Sequence, residues 1–228
     1  MTTIALIPAR GGSKRLPRKN VLNLLGKPML VYAIDTARDA GLFDEIYVST
    51  EDDEISQVAD DHGAMVITRP KDLSTDRSTV VDVCLHALSV LPDVVKFCCI
   101  YPTSVLIRPE SIHAGYKLLD ADPEADFVMG VSEYENPPVQ ALKRDSQGFL
   151  NYMWPEWSGV QSQFHPELLV SNGSFYWARR DAFLSEKTFY GKRLRGLQIP
   201  SDECSDINTL HDLKVTRKKL EDRINVCK

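Results

Sequence analysis

Between positions 10 and 20 the chain sets five cations, Arg10, Lys14, Arg15, Arg18 and Lys19, around the pair Gly11-Gly12, with no carboxylate among them. Glycines let backbone amides approach an anion closely, and the cations supply the charge that a polyphosphate demands. The stretch follows the apolar run Thr3 to Ile7, so it reads as a phosphate-gripping loop at the end of a buried strand. A solvated basic loop is the alternative. Neither the P-loop pattern G-x-x-x-x-G-K-[ST] nor the dinucleotide pattern G-x-G-x-x-G occurs, which argues against an ordinary ATPase or a Rossmann dehydrogenase.

The chain as a whole is acidic, with 27 Lys plus Arg against 32 Asp plus Glu in 228 residues. Setting the five loop cations aside leaves 22 against 32, so the positive charge is focused rather than spread over a face. That pattern suits a small anionic ligand and argues against DNA or RNA as partner. No apolar run reaches the ~20 residues of a membrane span, and the first apolar run is too short for a signal core. The five cysteines, Cys84, Cys98, Cys99, Cys204 and Cys227, show no CxxC spacing. Neither a disulfide framework nor a zinc site is expected, and a reducing cytoplasm is the expected location. The five histidines have no ligand spacing, and no G-x-S-x-G elbow appears, so covalent catalysis is not expected.

The elements that must position the loop alternate. Strands are expected at Thr3–Ile7, Glu45–Ser49, Met65–Ile67, Phe97–Tyr101, Asp126–Val131 and Ser174–Ala178. Helical spacing marks Met29–Ala40, a short helix ending before Gly63, Val80–Leu91, Ser111–Leu119 and Thr209–Val226. This rhythm predicts one α/β domain, a doubly wound and mainly parallel sheet with active groups at the carboxyl ends of its strands. From about 132 to 171 the pattern breaks into Pro-rich and aromatic text, read as an inserted arm whose aromatics need burial.

The run Ile7-Pro8-Ala9-Arg10-Gly11-Gly12-Ser13-Lys14 with Lys19-Asn20 resembles the first motif of the acylneuraminate cytidylyltransferases, or CMP-sialic acid synthetases. Leu25-Gly26-Lys27-Pro28-Met29, Val48-Ser49-Thr50-Glu51-Asp52, Arg69-Pro70, Pro102-Thr103-Ser104, Arg108-Pro109, Asn172-Gly173 and Asp206-Ile207-Asn208-Thr209 extend the resemblance over most of the chain. It implies a Rossmann-like nucleotidyltransferase sheet and transfer of CMP from CTP to the anomeric hydroxyl of a nine-carbon nonulosonic acid, with release of pyrophosphate. It also implies that Arg10 and Lys19 hold the phosphates, that Gly11, Gly12 and Ser13 donate to phosphate oxygens from the loop, that Ala9 belongs to the nucleotide site, and that Asn20 reads cytosine or ribose. Lys14 and Arg15 would assist the pyrophosphate or stand as solvated flanks. Ser78 would touch the nucleotide or cap a helix.

Magnesium is the implied cofactor, because hard oxygen ligands and a triphosphate favour it. Asp206 matches the first acid of the family's Asp-x-Asp pair, whereas the second position is the neutral Asn208. The alternative is that both merely cap the last helix. On the sugar side the resemblance points to Thr103, Ser104 and Asn172. Tyr101 stands where sialic acid enzymes carry Gln, and Gln161 where they carry Arg. Cys98 to Tyr101, Gln140 to Lys143 and Phe175 to Trp177 look like the pseudaminic acid branch, while Asn172-Gly173 sits closer to the sialic and legionaminic branches. Lys143 is the arm cation expected to pair the sugar carboxylate, or an exposed lysine. Trp154, Trp157, Phe175 and Tyr176 would wall its acyl groups, or belong to core or interface. A homodimer with shared sites is implied, since in this family the arm crosses to a second subunit. Competing readings are a catalytically inactive nucleotide-binding regulator and a nucleotidyltransferase for another ulosonic acid or a sugar phosphate.

Overall fold

A computed structural model describes residues 2–134 and 136–226. The strands are β1 (Thr2–Pro8), β2 (Asn23–Leu24), β3 (Lys27–Pro28), β4 (Glu45–Thr50), β5 (Met65–Thr68), β6 (Val94–Ile100), β7 (Phe127–Glu133), β8 (Leu142–Arg144), β9 (Leu150–Tyr152), β10 (Leu169–Arg179) and β11 (Leu194–Gln198). The helices are α1 (Met29–Ala40), α2 (Asp53–Asp61), α3 (Val80–Val90), α4 (Pro109–Ala121), α5 (Arg180–Glu186) and α6 (Leu210–Val226). Seven strands form one sheet in the order β11-β7-β10-β6-β1-β4-β5. Only β10 runs against its neighbours β6 and β7; every other pairing in this sheet is parallel.

The expected doubly wound sheet is therefore present, with apolar cores on both faces. On one, Ile7, Ile34, Ile55, Ile112 and Trp177 join β1 and β10 to α1, α2 and α4. On the other, Leu6, Phe97, Cys99, Cys84 and Phe183 join β1 and β6 to α3 and α5. Being covered twice explains why β6 reads as a near-continuous apolar run. Local signals set the helix ends: the Asp52 side chain accepts the Ile55 amide at the start of α2, and Gly41 closes α1 at φ 63°.

Three readings need correction. The arm runs from 134 to 168 rather than 132 to 171, because β7 continues to Glu133 and β10 begins at Leu169. Its aromatics are not all buried within one chain: Phe149, in the two-stranded β8-β9 hairpin, and Phe164, beyond it, are 66% and 69% exposed. Helix α5 and the edge strand β11 are not expected from the sequence, nor are the short strands β2, β3, β8 and β9 outside the main sheet. Cys84, Cys98, Cys99 and Cys204 are free thiols, and Cys227 lies outside the described residues. No described helix is long and apolar enough to cross a membrane.

Candidate functional site

The carboxyl ends of β1, β5 and β6 converge on a cavity of about 210 Å³, lined among others by Pro8, Arg10, Lys19, Asn20, Arg69, Ser78, Thr79, Tyr101 and Thr103. The switch in strand order between β1, β4 and β6 opens a crevice here, the usual ligand position in such sheets. Residues as distant in the chain as Pro8 and Thr103 meet because their strands lie in one sheet.

The loop after β1 is rooted at several points. Leu16 is buried with Leu24, Val105, Ile207 and Leu220. The buried Asn20 donates its side-chain amide to the Arg10 carbonyl at 2.9 Å, which braces the loop's start against its end. Arg18, in the left-handed region at φ 57°, grips the Asp52 carboxylate with both terminal nitrogens and also reaches Glu54. These bonds raise the Arg18 pKa and hold the Asp52 carboxyl below its ordinary range. Arg18 is thus a strut of the loop rather than a ligand cation.

Arg10 and Lys19 reach the cavity. Arg10 bonds the Thr75 carbonyl at 3.0 Å and pairs with Asp76 at 3.1 Å, and Lys14 pairs with the same carboxylate from the solvent side. Lys19 donates to the Ile207 carbonyl at 2.9 Å. Burial lowers its pKa, Asp206 opposes that shift, and Arg15 and Arg10 reinforce it. Arg15 donates to Asn208 Oδ1 at 2.8 Å, tying the loop to the segment before α6. The Gly11 amide donates to Glu51 Oε1 at 2.9 Å, which corrects its expected use as a phosphate donor. The Ser13 amide turns back to the Gly11 carbonyl at 3.2 Å, leaving the exposed Gly12 as the open point of the loop.

Arg69 was not singled out as a site residue, yet it lines the cavity. It is 4% exposed, fixed to the Ser49 hydroxyl at 3.2 Å and the Ser49 carbonyl at 2.5 Å. Burial lowers its pKa and Glu51 counters that shift. The signal available for it was a cation immediately past a strand and before Pro70. Ser78 also lines the cavity, and it is not the helix cap. Thr79 caps α3 in a reciprocal box with Asp82, while the Ser78 hydroxyl donates to the Asp72 carbonyl at 3.1 Å.

On the sugar side the residues divide. Tyr101 and Thr103 line the cavity; the Tyr101 ring lies 5.6 Å from that of Tyr176, and burial raises its phenol pKa. The Ser104 hydroxyl is buried and donates to the Ser174 carbonyl at 2.8 Å, so it positions β10 rather than facing a ligand. Asn172 accepts the Ser174 hydroxyl at 2.5 Å and the Ser174 amide at 3.1 Å. Phe175 has no exposed surface and packs against Trp177 and Ile112, so it cannot wall a ligand. Tyr176, one residue on, points to the other face and bonds Ser171 at 2.8 Å. Lys143 and Gln161 are exposed on the arm and do not line this cavity. Trp154 and Trp157 line a separate groove of about 510 Å³ with Tyr134, Val139 and Leu169.

Thr209 and Asp212 cap α6 reciprocally, Asp212 accepting the Thr209 amide at 2.7 Å and donating to its hydroxyl at 3.2 Å. Asp206 and Asn208 are therefore not needed as the side-chain cap. Asp206 is exposed, with no hydrogen bond to its carboxylate among the described residues. The segment carrying it is held by Ser205, which donates to the Thr103 carbonyl at 2.8 Å, and by buried Ile207. No group of three or more His, Cys, Asp or Glu among the described residues could hold a metal alone. The open Asp206 carboxylate is the kind of ligand magnesium takes, since that ion keeps several waters and is bound through one or two carboxylates plus substrate phosphates, whereas Asn208 Oδ1 already accepts from Arg15.

Residues 4–222 match a protein family described as cytidylyltransferase. The chain is 31% identical over 223 residues to pseudaminic acid cytidylyltransferase of Campylobacter jejuni, covering 95% of each chain. It is 33% identical over 229 residues to CMP-N,N'-diacetyllegionaminic acid synthase of Legionella pneumophila, covering 97% of each. It is 32% identical to N-acylneuraminate cytidylyltransferase of Streptococcus agalactiae over 93% of this chain and 52% of that one. Among solved structures, CMP:2-keto-3-deoxy-manno-octonic acid synthetase complexed with CTP superposes with a TM-score of 0.75 at 18% identity, covering 98% of this chain and 100% of that one.

Proposed function

Because the chain belongs to the cytidylyltransferase family and transfers CMP from CTP, we propose that its acceptor is a nine-carbon nonulosonic acid of the pseudaminate, legionaminate or N-acylneuraminate type. The observation that carries this reading is the cavity where Arg10, Lys19 and Arg69 converge beside Tyr101. Three cations suit a triphosphate, and the Tyr101 ring beside them suits an acylamino sugar. The relatives act on sugars of this type by their names.

The sugar's anomeric hydroxyl attacks the α-phosphate in line, a new P–O bond forms, and the bond to the β-phosphate breaks to release pyrophosphate. The protein's contribution is positioning and neutralisation of charge. Arg10 and Lys19 hold phosphate oxygens, and Asn20 keeps the loop closed. Lys14, exposed beside Asp76, would supply a mobile cation to the leaving pyrophosphate. Asp206 would hold magnesium, which supplies charge neutralisation at the phosphates.

The arm brings neither Lys143 nor Gln161 to the cavity of its own chain. Together with the exposed Phe149, Leu150 and Phe164, this supports a homodimer in which each arm covers the partner. Light scattering at micromolar concentration is expected to give twice the 25.7 kDa chain mass, and a F149S/F164S double variant to shift it toward one chain. A wild-type mass of one chain would remove the shared-site reading.

The test of function is pyrophosphate release from CTP and magnesium with neuraminic, legionaminic and pseudaminic acids as separate acceptors. Release with one or more is expected, and the fastest names the substrate. CTP binding without release for any of them would favour the inactive regulator, a reading that Asn208 in place of a second acid keeps open.

A further inference from the structure

We infer that Glu51 is a positioning residue of the nucleotide site, fixing the phosphate loop through the Gly11 amide. The inference rests on the reading of this cavity as the CTP site. β1 and β4 are parallel neighbours with Pro8 opposite Ser49, so the residues leaving the two strands stay side by side. The Ala9 amide bonds the Ser49 carbonyl at 3.0 Å, and two residues later the Gly11 amide bonds Glu51 Oε1 at 2.9 Å. Asp52, next in the chain, takes the Arg18 guanidinium while capping α2. One dipeptide thus grips the loop at both ends, Gly11 and Arg18, with residues 12–17 strung between them and anchored at the buried Leu16.

Two features argue that this grip serves binding. Glu51 Oε2 is buried without a hydrogen-bond partner among the described residues, so this carboxylate carries a desolvation cost that a smaller side chain would avoid. Its negative charge also sits among the cations that a polyphosphate needs, and it is the first opposing influence on the burial-lowered pKa of Arg69. By charge alone Glu51 weakens anion binding; its gain is geometric. The fit is tight: a Cβ on Gly11 would lie 2.3 Å from Asp52 Oδ2. No side chain can enter between the loop and this dipeptide without pushing them apart.

The test measures CTP binding at equilibrium, which needs no acceptor, for wild type, E51A, E51Q and G11A. Kinetics with the accepted sugar and unfolding midpoints without CTP accompany it. E51A and G11A are expected to raise the Kd for CTP about 10-fold or more, the scale of one charge-assisted hydrogen bond. The KM for the sugar should not move. E51Q keeps an acceptor oxygen for the Gly11 amide and is expected to recover most of the affinity. Should E51A not fold, the contrast between E51Q and G11A carries the same test. E51A binding CTP as well as or better than wild type, or E51Q as impaired as E51A, would overturn the inference. A wild-type protein that fails to bind CTP would instead overturn the nucleotide-site reading beneath it.

Discussion

Asp206→Ala is expected to lower the rate of pyrophosphate release by at least about 100-fold at any magnesium concentration, as loss of a metal's charge stabilisation implies. The same change should leave the melting temperature within a few degrees, because no described residue hydrogen-bonds the Asp206 carboxylate and its removal orphans no partner. Neighbouring Ile207, fully buried, keeps the segment in place. Asp206 also favours the charged form of Lys19, so the alanine variant carries a second loss beyond the ion itself. The two losses separate in the magnesium titration: weakened ion binding shifts the curve, whereas a discharged Lys19 lowers its plateau and does so most at high pH. Asn208→Asp is the complementary change. A carboxylate there can still accept from Arg15, which bonds Asn208 Oδ1 at 2.8 Å, and it adds the second acid. It should reduce the magnesium needed for half-maximal rate. Near-normal turnover in the Asp206→Ala protein would sink the assignment.

The loop's chemistry was legible because it is local: a strand, two glycines and five cations within a few turns of chain. The central sheet was legible for a similar reason, since strands buried on both faces read as apolar runs. What escaped depends on neighbours distant in sequence. That Arg18 is a strut and Gly11 a bound donor follows from Asp52 and Glu51, brought over from 34 and 40 residues away by β1–β4 pairing. Strand β11, Leu-Arg-Gly-Leu-Gln, has two apolar residues and sits at an edge, so its sequence carries little strand signal. Phe175 and Tyr176 do not form one wall, because adjacent strand residues point to opposite faces, a parity that is itself legible in sequence. The exposure of the arm's aromatics was unreadable for another reason, because apolar residues left exposed on one chain look the same in sequence as those of a core.

Lys19→Met is expected to cut kcat/KM for CTP by roughly 100-fold or more, since a cation held in a water-poor site is worth far more to a phosphate than one in solvent. Among the described residues this ammonium makes one hydrogen bond, to the Ile207 carbonyl at 2.9 Å, and the rest of its donor capacity is open to a ligand. Its pKa lies below 10.5, with burial as the first cause and Asp206 only partly compensating. A bound triphosphate favours the charged form, so CTP affinity should fall as pH rises through the free protein's Lys19 pKa, earlier than for an ordinary lysine. The sign for stability is opposite. Folding disfavours the charged lysine, a cost fully present below the folded pKa and relieved as pH climbs toward 10.5. Lys19→Met removes that cost and fills the same slot with apolar stem, so the variant should be at least as stable as wild type while binding CTP poorly. Lys19→Arg should not restore full activity, because a forked guanidinium does not reproduce a point charge at this depth. Calorimetric melting and CTP titration across pH 7 to 10.5 check both signs. A methionine variant that keeps the wild-type kcat/KM, or one that keeps the alkaline fall in CTP affinity, would show that Lys19 is not the cation that meets the phosphates.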